Sequence, residues 1–365
     1  MATVHEAFEI WDAWSSVGDS VAVATVVRVA GSAPRPEGSR FLVSSSGEMS
    51  GSVSGGCVEN DVYLHATSVL EGGGPLLVTY GIADEEAFEV GLACGGTIQV
   101  FVARMGGEVD AAARDLVRGA RSGSLATVVA GPAIGQSVLL DEHGTVVAGS
   151  IPEEIGDDVG VDAVRLADTE QAVTLSYHDH DVFIETVVPP PMLVIWGADE
   201  VAVSLSAMAR RAGFRVTLCD PRPAFTVPER FPDAERVVVG WPDDIAGQVT
   251  IDHRTYVVSL THDGRVEGPL LPTLLASPAR YIGAMGSRRT HAKRVERLAA
   301  QGWDAAAIDR IHGPVGLDIG AERPAEVAVS ILAEMIAARY RSGSGEALRG
   351  TEGRIHRQRP GEADV

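Results

Sequence analysis

The sequence predicts an α/β protein in two parts, an N-terminal α/β domain followed by a Rossmann-like, doubly wound parallel-sheet domain. Three observations carry that expectation. The chain has 365 residues, more than one hydrophobic core usually serves. Three consecutive prolines, Pro189-Pro190-Pro191, interrupt it near the middle, and such a run continues neither a helix nor a sheet ladder. After them, short apolar runs alternate with helical patterns, the rhythm of βαβ units. The expected boundaries are an N-terminal domain over 1–188 that includes a middle section over 110–188, a Rossmann-like domain over 189–340 and a disordered tail over 341–365.

The first domain opens on a helical pattern in which Phe8, Trp11 and Ser15 share a face, with Trp14 nearby. A strand follows at Val21–Ala30, built from β-branched and small residues. Residues 31–60 form a Gly/Ser/Pro-rich run with a strand at 41–44 and a turn at Ser46-Gly47-Glu48. A helix is expected over 57–70, then strands at Leu76–Tyr80 and 97–103 flanking the loop GLACGG. The middle section offers one helix, at 111–120, several short strands, and a hairpin turn at Asp141-Glu142-His143-Gly144. Beyond the prolines, strands are expected at Met192–Trp196, Arg215–Asp220, 236–240, 255–260 and 280–283, with helices at 201–212 and Pro324–Tyr340. From Arg341 onward apolar residues almost vanish, a composition that cannot offset the entropy of ordering. No internal repeat is evident.

Hydrophobic residues make up 45% and charged residues 22%, proportions that place the chain among soluble globular proteins. Its formal charge is −20 and its pI about 4.9. That field repels phosphate backbones and anionic lipid, which argues against nucleic acid and membrane surfaces as partners. An anionic ligand must be held by local donors. The start, MATVHEAFEIWDAW, has no basic leader, and no apolar run reaches about 18 residues, so a cytoplasmic location is expected. Cys57, Cys94 and Cys219 are too few for a disulfide framework and form no CxxC pair. An iron–sulfur cluster takes about four cysteine ligands, a set this chain lacks.

In the second domain, MLVIWGADEVAVSLSAMARRAGFRVTLCDPR has the strand, glycine turn, helix, strand and terminal acid of a dinucleotide-binding unit. Asp220 lies 23 residues after Gly197, near the spacing of a ribose-binding carboxylate. The fingerprint is faulty, however. Where GxGxxG requires three small residues the chain offers Gly197, Asp199 and Ala202, and an acid at the second position opposes a pyrophosphate. The expected strand ends also deliver His262-Asp263, a candidate for proton transfer, and Gly286-Ser287-Arg288, a glycine turn with donors suited to an anion. Tight βα turns alone account for the same glycines.

The first domain carries two Cys–Gly loops. Ser54-Gly55-Gly56-Cys57 leads into a helix, where the dipole favours a thiolate, with Glu59 as proton acceptor or cap. Cys94-Gly95-Gly96 repeats the chemistry 37 residues later. Upstream, Arg35 and Arg40 offer forked donors for a phosphate or a carbonyl edge. Together these suit a compact anionic ligand with sulfur chemistry. Small buried cysteines beside tight turns fit the same pattern. His178-Asp179-His180-Asp181 has too few ligands for a metal site and reads as a surface turn, so no metal site is expected.

Taken in order, GSAPRP (31–36), GSVSGGCVE (51–59), GLACGG (91–96), the Rossmann start, IGAMGSRRT (282–290) and GPVGLDIGAERPAEVAVSILAE (313–334) resemble the XdhC/CoxI family. The resemblance spans about residues 8 to 340. It implies a maturation factor that binds the molybdenum cofactor (molybdopterin), supports its sulfuration with a cysteine desulfurase, and assists its insertion into an apo molybdenum hydroxylase of the xanthine or carbon monoxide dehydrogenase type. On the same ground Cys57 and Cys94 lie near the cofactor, Gly55, Gly56, Gly95 and Gly96 allow close backbone approach, and Arg35 and Arg40 are anion-binding candidates. The family pattern Gly-Ala-Gly-His is replaced here by Gly197-Ala198-Asp199-Glu200, which puts NAD(P) or another nucleotide in doubt. The competing reading is an NAD(P)-dependent oxidoreductase with Asp220 on the ribose and His262 as acid/base; a nucleotide sensor gating delivery is a third. A homodimer is expected on base rates alone.

Overall fold

The computed structural model describes residues 4–31, 33–81, 96–119, 121–167, 172–245, 247–340 and 343–351. The chain divides into two compact units, Met1–Pro189 and Pro190–Val365.

The N-terminal unit runs α1 (Val4–Ser16), β1 (Val21–Ala30), β2 (Arg40–Ser44), β3 (Met49–Gly51), α2 (Glu59–Leu70), β4 (Leu76–Tyr80), β5 (Thr97–Met105), α3 (Glu108–Arg118), β6 (Gly123–Ala130), β7 (Ser137–Asp141), β8 (Val146–Gly149), α4 (Glu153–Ala167), β9 (Ala172–Tyr177) and β10 (His180–Val187). The strands form two antiparallel sheets, ordered β3-β2-β1-β5-β4 and β8-β7-β6-β10-β9. Strand side chains alternate between faces, and both faces of each sheet are used. Ala22, Ala24 and Val26 of β1 pack under Val62, Ala66 and Val69 of α2. Val27 and Phe101 on the opposite face meet Val129 and Phe183 of the second sheet. Ala126, Val128, Val182 and Ile184 then cover Ile155, Val159 and Ala163 of α4. The layers are helix, sheet, sheet, helix, with α1 and α3 sharing one apolar cluster with Val21, Leu42 and Leu139.

Two sequence expectations change here. The helix expected over 57–70 starts at Glu59. The middle section holds two helices, because Ile155, Val159, Ala163 and Leu166 form a helical stripe that Gly156, Gly160 and a run of acids dilute. His178 and Asp179 form the turn between β9 and β10.

The C-terminal unit comprises β11 (Met192–Trp196), α5 (Glu200–Arg211), β12 (Arg215–Asp220), β13 (Arg236–Val239), α6 (Pro242–Ile245), β14 (Thr255–Ser259), α7 (Gly264–Ala276), β15 (Tyr281–Ala284), α8 (Arg288–Ala300), α9 (Ala305–Ile308), β16 (Ile311–His312) and α10 (Pro324–Tyr340). Its six parallel strands are ordered β13-β12-β11-β14-β15-β16, the doubly wound arrangement of a Rossmann fold. Parallel strands are buried on both faces and read as continuous apolar runs. Leu193 and Ile195 face α5 and α10; Val194 and Trp196 face α7 and Leu298 of α8. Among the described residues no helix is long and apolar enough to cross a membrane. The tail expected to be disordered lies largely outside the described residues, and Leu348–Gly350 forms a short 3-10 turn.

Candidate functional site

Ladder register gathers the N-terminal loops at one end of the first sheet. Ala30, the last residue of β1, pairs with Thr97, the first of β5. Tyr80 at the end of β4 pairs with Ile98, and Phe41 at the start of β2 pairs with Gly51 at the end of β3. The GSAPRP loop, the SGGC loop and both ends of the 82–95 connection therefore leave the sheet together. The first two touch: a Cβ on Gly55 would lie 4.0 Å from Cβ of Pro34. Beside that contact, Arg35 buries its Nε without a hydrogen-bond partner among the described residues, and Cys57 is an exposed free thiol two residues ahead of α2.

Glu59 organises this loop. Its carboxylate accepts hydrogen bonds from the Ser52 hydroxyl at 2.7 Å, the Ser54 hydroxyl, and the backbone N–H groups of Val53, Ser54, Gly55 and Gly56 at 2.8–3.2 Å. Gly55 and Gly56 make the wrap possible with φ of +80° and +117°, backbone that side chains other than glycine rarely adopt. Burial raises the carboxyl's pKa, but the hydroxyls of Ser54 and Ser52 and the backbone donors outweigh it and hold it at about 2. Neither expected role describes Glu59: it is the first residue of α2, and its carboxylate binds the loop ahead of the helix, not the helix's own N–H groups. A group that weakly basic is a poor proton acceptor near neutrality.

Two further assignments are corrected by the same accounting. The Ser54 hydroxyl is buried and spent between Glu59 and the Val58 N–H, so it shapes the loop. Arg40 is not an anion site: its guanidinium is buried between the sheets, paired with Glu185 of β10 and donating to the Gly38 carbonyl. Cys94 and Gly95 lie outside the described residues, whereas Gly96 is buried immediately before β5. An open groove of about 720 Å³ adjoins the loop at Glu59, lined also by Phe41, Met49, Gly51, Asn60 and Tyr63. Sequence reading passed over Met49 and Tyr63, single apolar residues whose convergence depends on the β2–β3 register. Cys219, by contrast, is sealed in the core, where burial pushes its thiol up to about 12.

In the C-terminal unit the ends of β11 and β14 meet where the strand order reverses. Gly197 has φ of +112°, and a Cβ there would stand 3.2 Å from the Thr261 backbone nitrogen. The acids that spoil the fingerprint have structural work. Asp199 is the N-cap of α5, accepting from the Ala202 N–H at 2.9 Å; Glu200 pairs with Arg230 at 2.9 Å. The helix end that would hold a pyrophosphate already carries a carboxylate. Asp220, expected on a ribose, is buried and accepts from the Ala198 N–H and from the backbone N–H, Nε and Nη2 of Arg222, at 2.7–2.8 Å. All its lone pairs are engaged.

The remaining candidates stand apart from one another chemically. His262 is exposed, and its neighbour Asp263 caps α7 and grips Arg265, whose guanidinium holds the carboxyl down to about 2. Ser287 caps α8 through the Thr290 N–H at 3.1 Å, behind Gly286, and Arg288 is exposed in the first helical turn. No local pattern marks the buried Arg294, which holds Glu267 through two 2.9 Å bonds and the Met285 carbonyl through a third. Arg297 adds a bond to the same Glu267 at 2.8 Å. This network fixes the β15–α8 turn from beneath.

Comparison with known proteins agrees with this arrangement. The family model described as the XdhC and CoxI family matches residues 14–81, and that described as the XdhC Rossmann domain matches residues 193–335. A Bacillus subtilis (strain 168) protein described as a probable xanthine dehydrogenase subunit is 29% identical over 330 residues, covering 88% of this chain and 94% of the relative. The molybdenum cofactor insertion chaperone PaoD of Escherichia coli (strain K12) is 25% identical over 331 residues, 91% of this chain and 87% of the relative. A crystal structure described as a xanthine dehydrogenase from Bacillus halodurans shares the fold with a TM-score of 0.76 at 24% identity, covering 95% of this chain and 98% of that one. With one model of the family on each unit, in the same order along the chain, this protein belongs to the XdhC/CoxI family.

Proposed function

We propose that this chain binds the molybdenum cofactor and assists its sulfuration and insertion into a xanthine-dehydrogenase-type molybdenum hydroxylase, with a cysteine desulfurase as a second partner. The observation that carries the reading is the loop cluster at the end of the first sheet. There the loop of the exposed thiol Cys57, held by Glu59, meets at Gly55 and Pro34 the loop of Arg35, whose buried Nε has no hydrogen-bond partner among the described residues. A forked cation on a chain of charge −20 offers the local donor that an anionic pterin requires. The groove of about 720 Å³ falls within the range of roughly 300–1,000 Å³ typical of small-ligand sites. The relative named as an insertion chaperone extends over both units.

When bound, the cofactor supplies molybdenum and sulfur chemistry. The chain's own residues would hold and present it: Arg35 would bind the anionic group and Cys57 would offer its exposed thiol, with Phe41 and Tyr63 lining the neighbouring groove. Glu59 takes no proton at neutral pH and serves as the frame. Delivery is tested by mixing cofactor-loaded protein with an apo molybdenum hydroxylase and following enzyme activity. Faster activation than with the same amount of free cofactor is expected; activation no faster than free cofactor rejects delivery. The dinucleotide reading is disfavoured by the Asp199 cap and the saturated Asp220, and calorimetric titration with NAD, NADH, NADP and NADPH is expected to show no binding heat.

A further inference from the structure

The nucleotide crevice of a Rossmann fold lies at the C-terminal ends of the parallel strands. The opposite end of the same sheet holds a second cavity, of about 410 Å³, lined by His253, Arg280, Arg310 and His312 together with Pro278 and Ala279. His253 precedes β14, Arg280 precedes β15 and Arg310 precedes β16, so three successive strands each bring a basic side chain to this end. The lining contains no carboxylate. Two acids lie close behind the wall: Asp252 accepts from the Arg254 N–H and the Thr255 hydroxyl, and Glu334 accepts from Tyr281, the Gly316 N–H and Nδ1 of the lining His312. On a chain of net charge −20, a wall of two arginines and two imidazoles is a local concentration of hydrogen-bond donors for an anion.

Both guanidinium groups are anchored by backbone carbonyls, Arg310 through both terminal nitrogens and Arg280 through one. Arg310 donates from Nη1 to the Leu275 carbonyl at 2.7 Å and from Nη2 to the carbonyls of Ser277 and Ala279 at 3.0 Å, closing the C-terminal end of α7. Arg280 donates from Nη2 to the Arg339 carbonyl at 2.9 Å, in the last turn of α10. Arg280 Nε remains a buried donor with no hydrogen-bond partner among the described residues, a state that costs free energy unless a ligand satisfies it. His312 is steadied by Glu334 at 3.1 Å and by its ring lying 4.5 Å from that of Tyr281, which leaves Nε2 available. Anchored side chains lose little rotamer freedom on binding.

We propose that this cavity binds a phosphate group carried by a small molecule, with Arg280 and Arg310 as its anchors. Guanidinium forks match the geometry of phosphate oxygens, and a volume of about 410 Å³ holds more than the phosphate alone. The site shares no residue with the cofactor loops or the nucleotide crevice. The test is titration of the full chain with inorganic phosphate and with ribose 5-phosphate at low salt, following the ring resonances of His253 and His312 by NMR. His253→Glu, at an exposed position, and Arg280→Gln are compared with the parent. Saturable shifts of both rings are expected in the parent with at least one probe; binding is at least tenfold weaker in each variant, read from His312 in His253→Glu and from both rings in Arg280→Gln, while the circular dichroism of His253→Glu stays unchanged. Absence of saturable shifts with both probes, or binding that survives both substitutions, overturns the proposal and leaves the arginines as helix caps.

Discussion

Glu59 decides what the SGGC loop can bind, because six donors that would otherwise face a ligand already face its carboxylate. Replacing it by Gln removes the charge and turns one acceptor into a donor, so Glu59→Gln is expected to destabilise the N-terminal unit by about 1–3 kcal/mol. The folded carboxyl has its pKa at about 2 against an ordinary 4.5. A lowered carboxyl pKa stabilises the fold above the unfolded value, and that contribution is lost as pH falls from about 4.5 to about 2. Chemical unfolding across that window is therefore expected to show a shallower acid loss in Glu59→Gln than in the parent; equal slopes would contradict it. At Cys57, exposed and outside the core, Cys57→Ala is expected to leave the unfolding midpoint within about 0.5 kcal/mol of the parent while lowering retained molybdopterin. The sequence showed an acid beside a cysteine. It did not show that the acid organises the loop ahead of the helix, since that depends on Gly55 and Gly56 folding the backbone around it.

Among the elements, α5 shows how a local rule is broken and compensated. Its N-terminus is where a dinucleotide fold receives a pyrophosphate, and Asp199 fills that place as the cap. Asp199→Ala is expected to cost about 1 kcal/mol and Asp199→Gly only a few tenths. If the cap is also what turns nucleotides away, Asp199→Gly gains measurable NAD affinity by calorimetry, and unchanged absence of heat would place the block elsewhere, at Asp220. The strand pattern of this unit was legible because parallel strands are uniformly apolar. α7 and α8 were not. Pro269 and Pro272 interrupt the first, which is held by Val266, Leu270, Leu271 and Leu274 against the sheet. The second buries only Arg294 and Leu298, so hydrophobic period carries almost no trace of it.

For the molecule as a whole, the two N-terminal sheets are joined through a mostly apolar seam that contains one buried ion pair, Arg40–Glu185. No local pattern pairs residues this far apart in sequence, and Arg40 reads as a ligand donor until the second sheet is in place. Removing one partner strands the other charge, so Arg40→Met is expected to cost about 3–5 kcal/mol, with the double change Arg40→Met and Glu185→Leu recovering most of it. Thermal unfolding of both variants against the parent reads this directly; a single substitution as mild as the double one would contradict a buried, mutually dependent pair. The two-part organisation was legible from the proline run and the change of rhythm after it. The meeting of the GSAPRP and SGGC loops was legible only as composition, since β1, β2, β3 and β5 must pair before those loops share an end.

The most direct measurement is the pterin content of the full chain, produced in a host that makes molybdenum cofactor, purified gently, and assayed by oxidation of the pterin to its fluorescent derivative with molybdenum by mass spectrometry. Near-stoichiometric pterin, reduced in Cys57→Ala, is the expected result. Protein free of pterin but carrying a nicotinamide nucleotide would contradict it and move the function to the second unit.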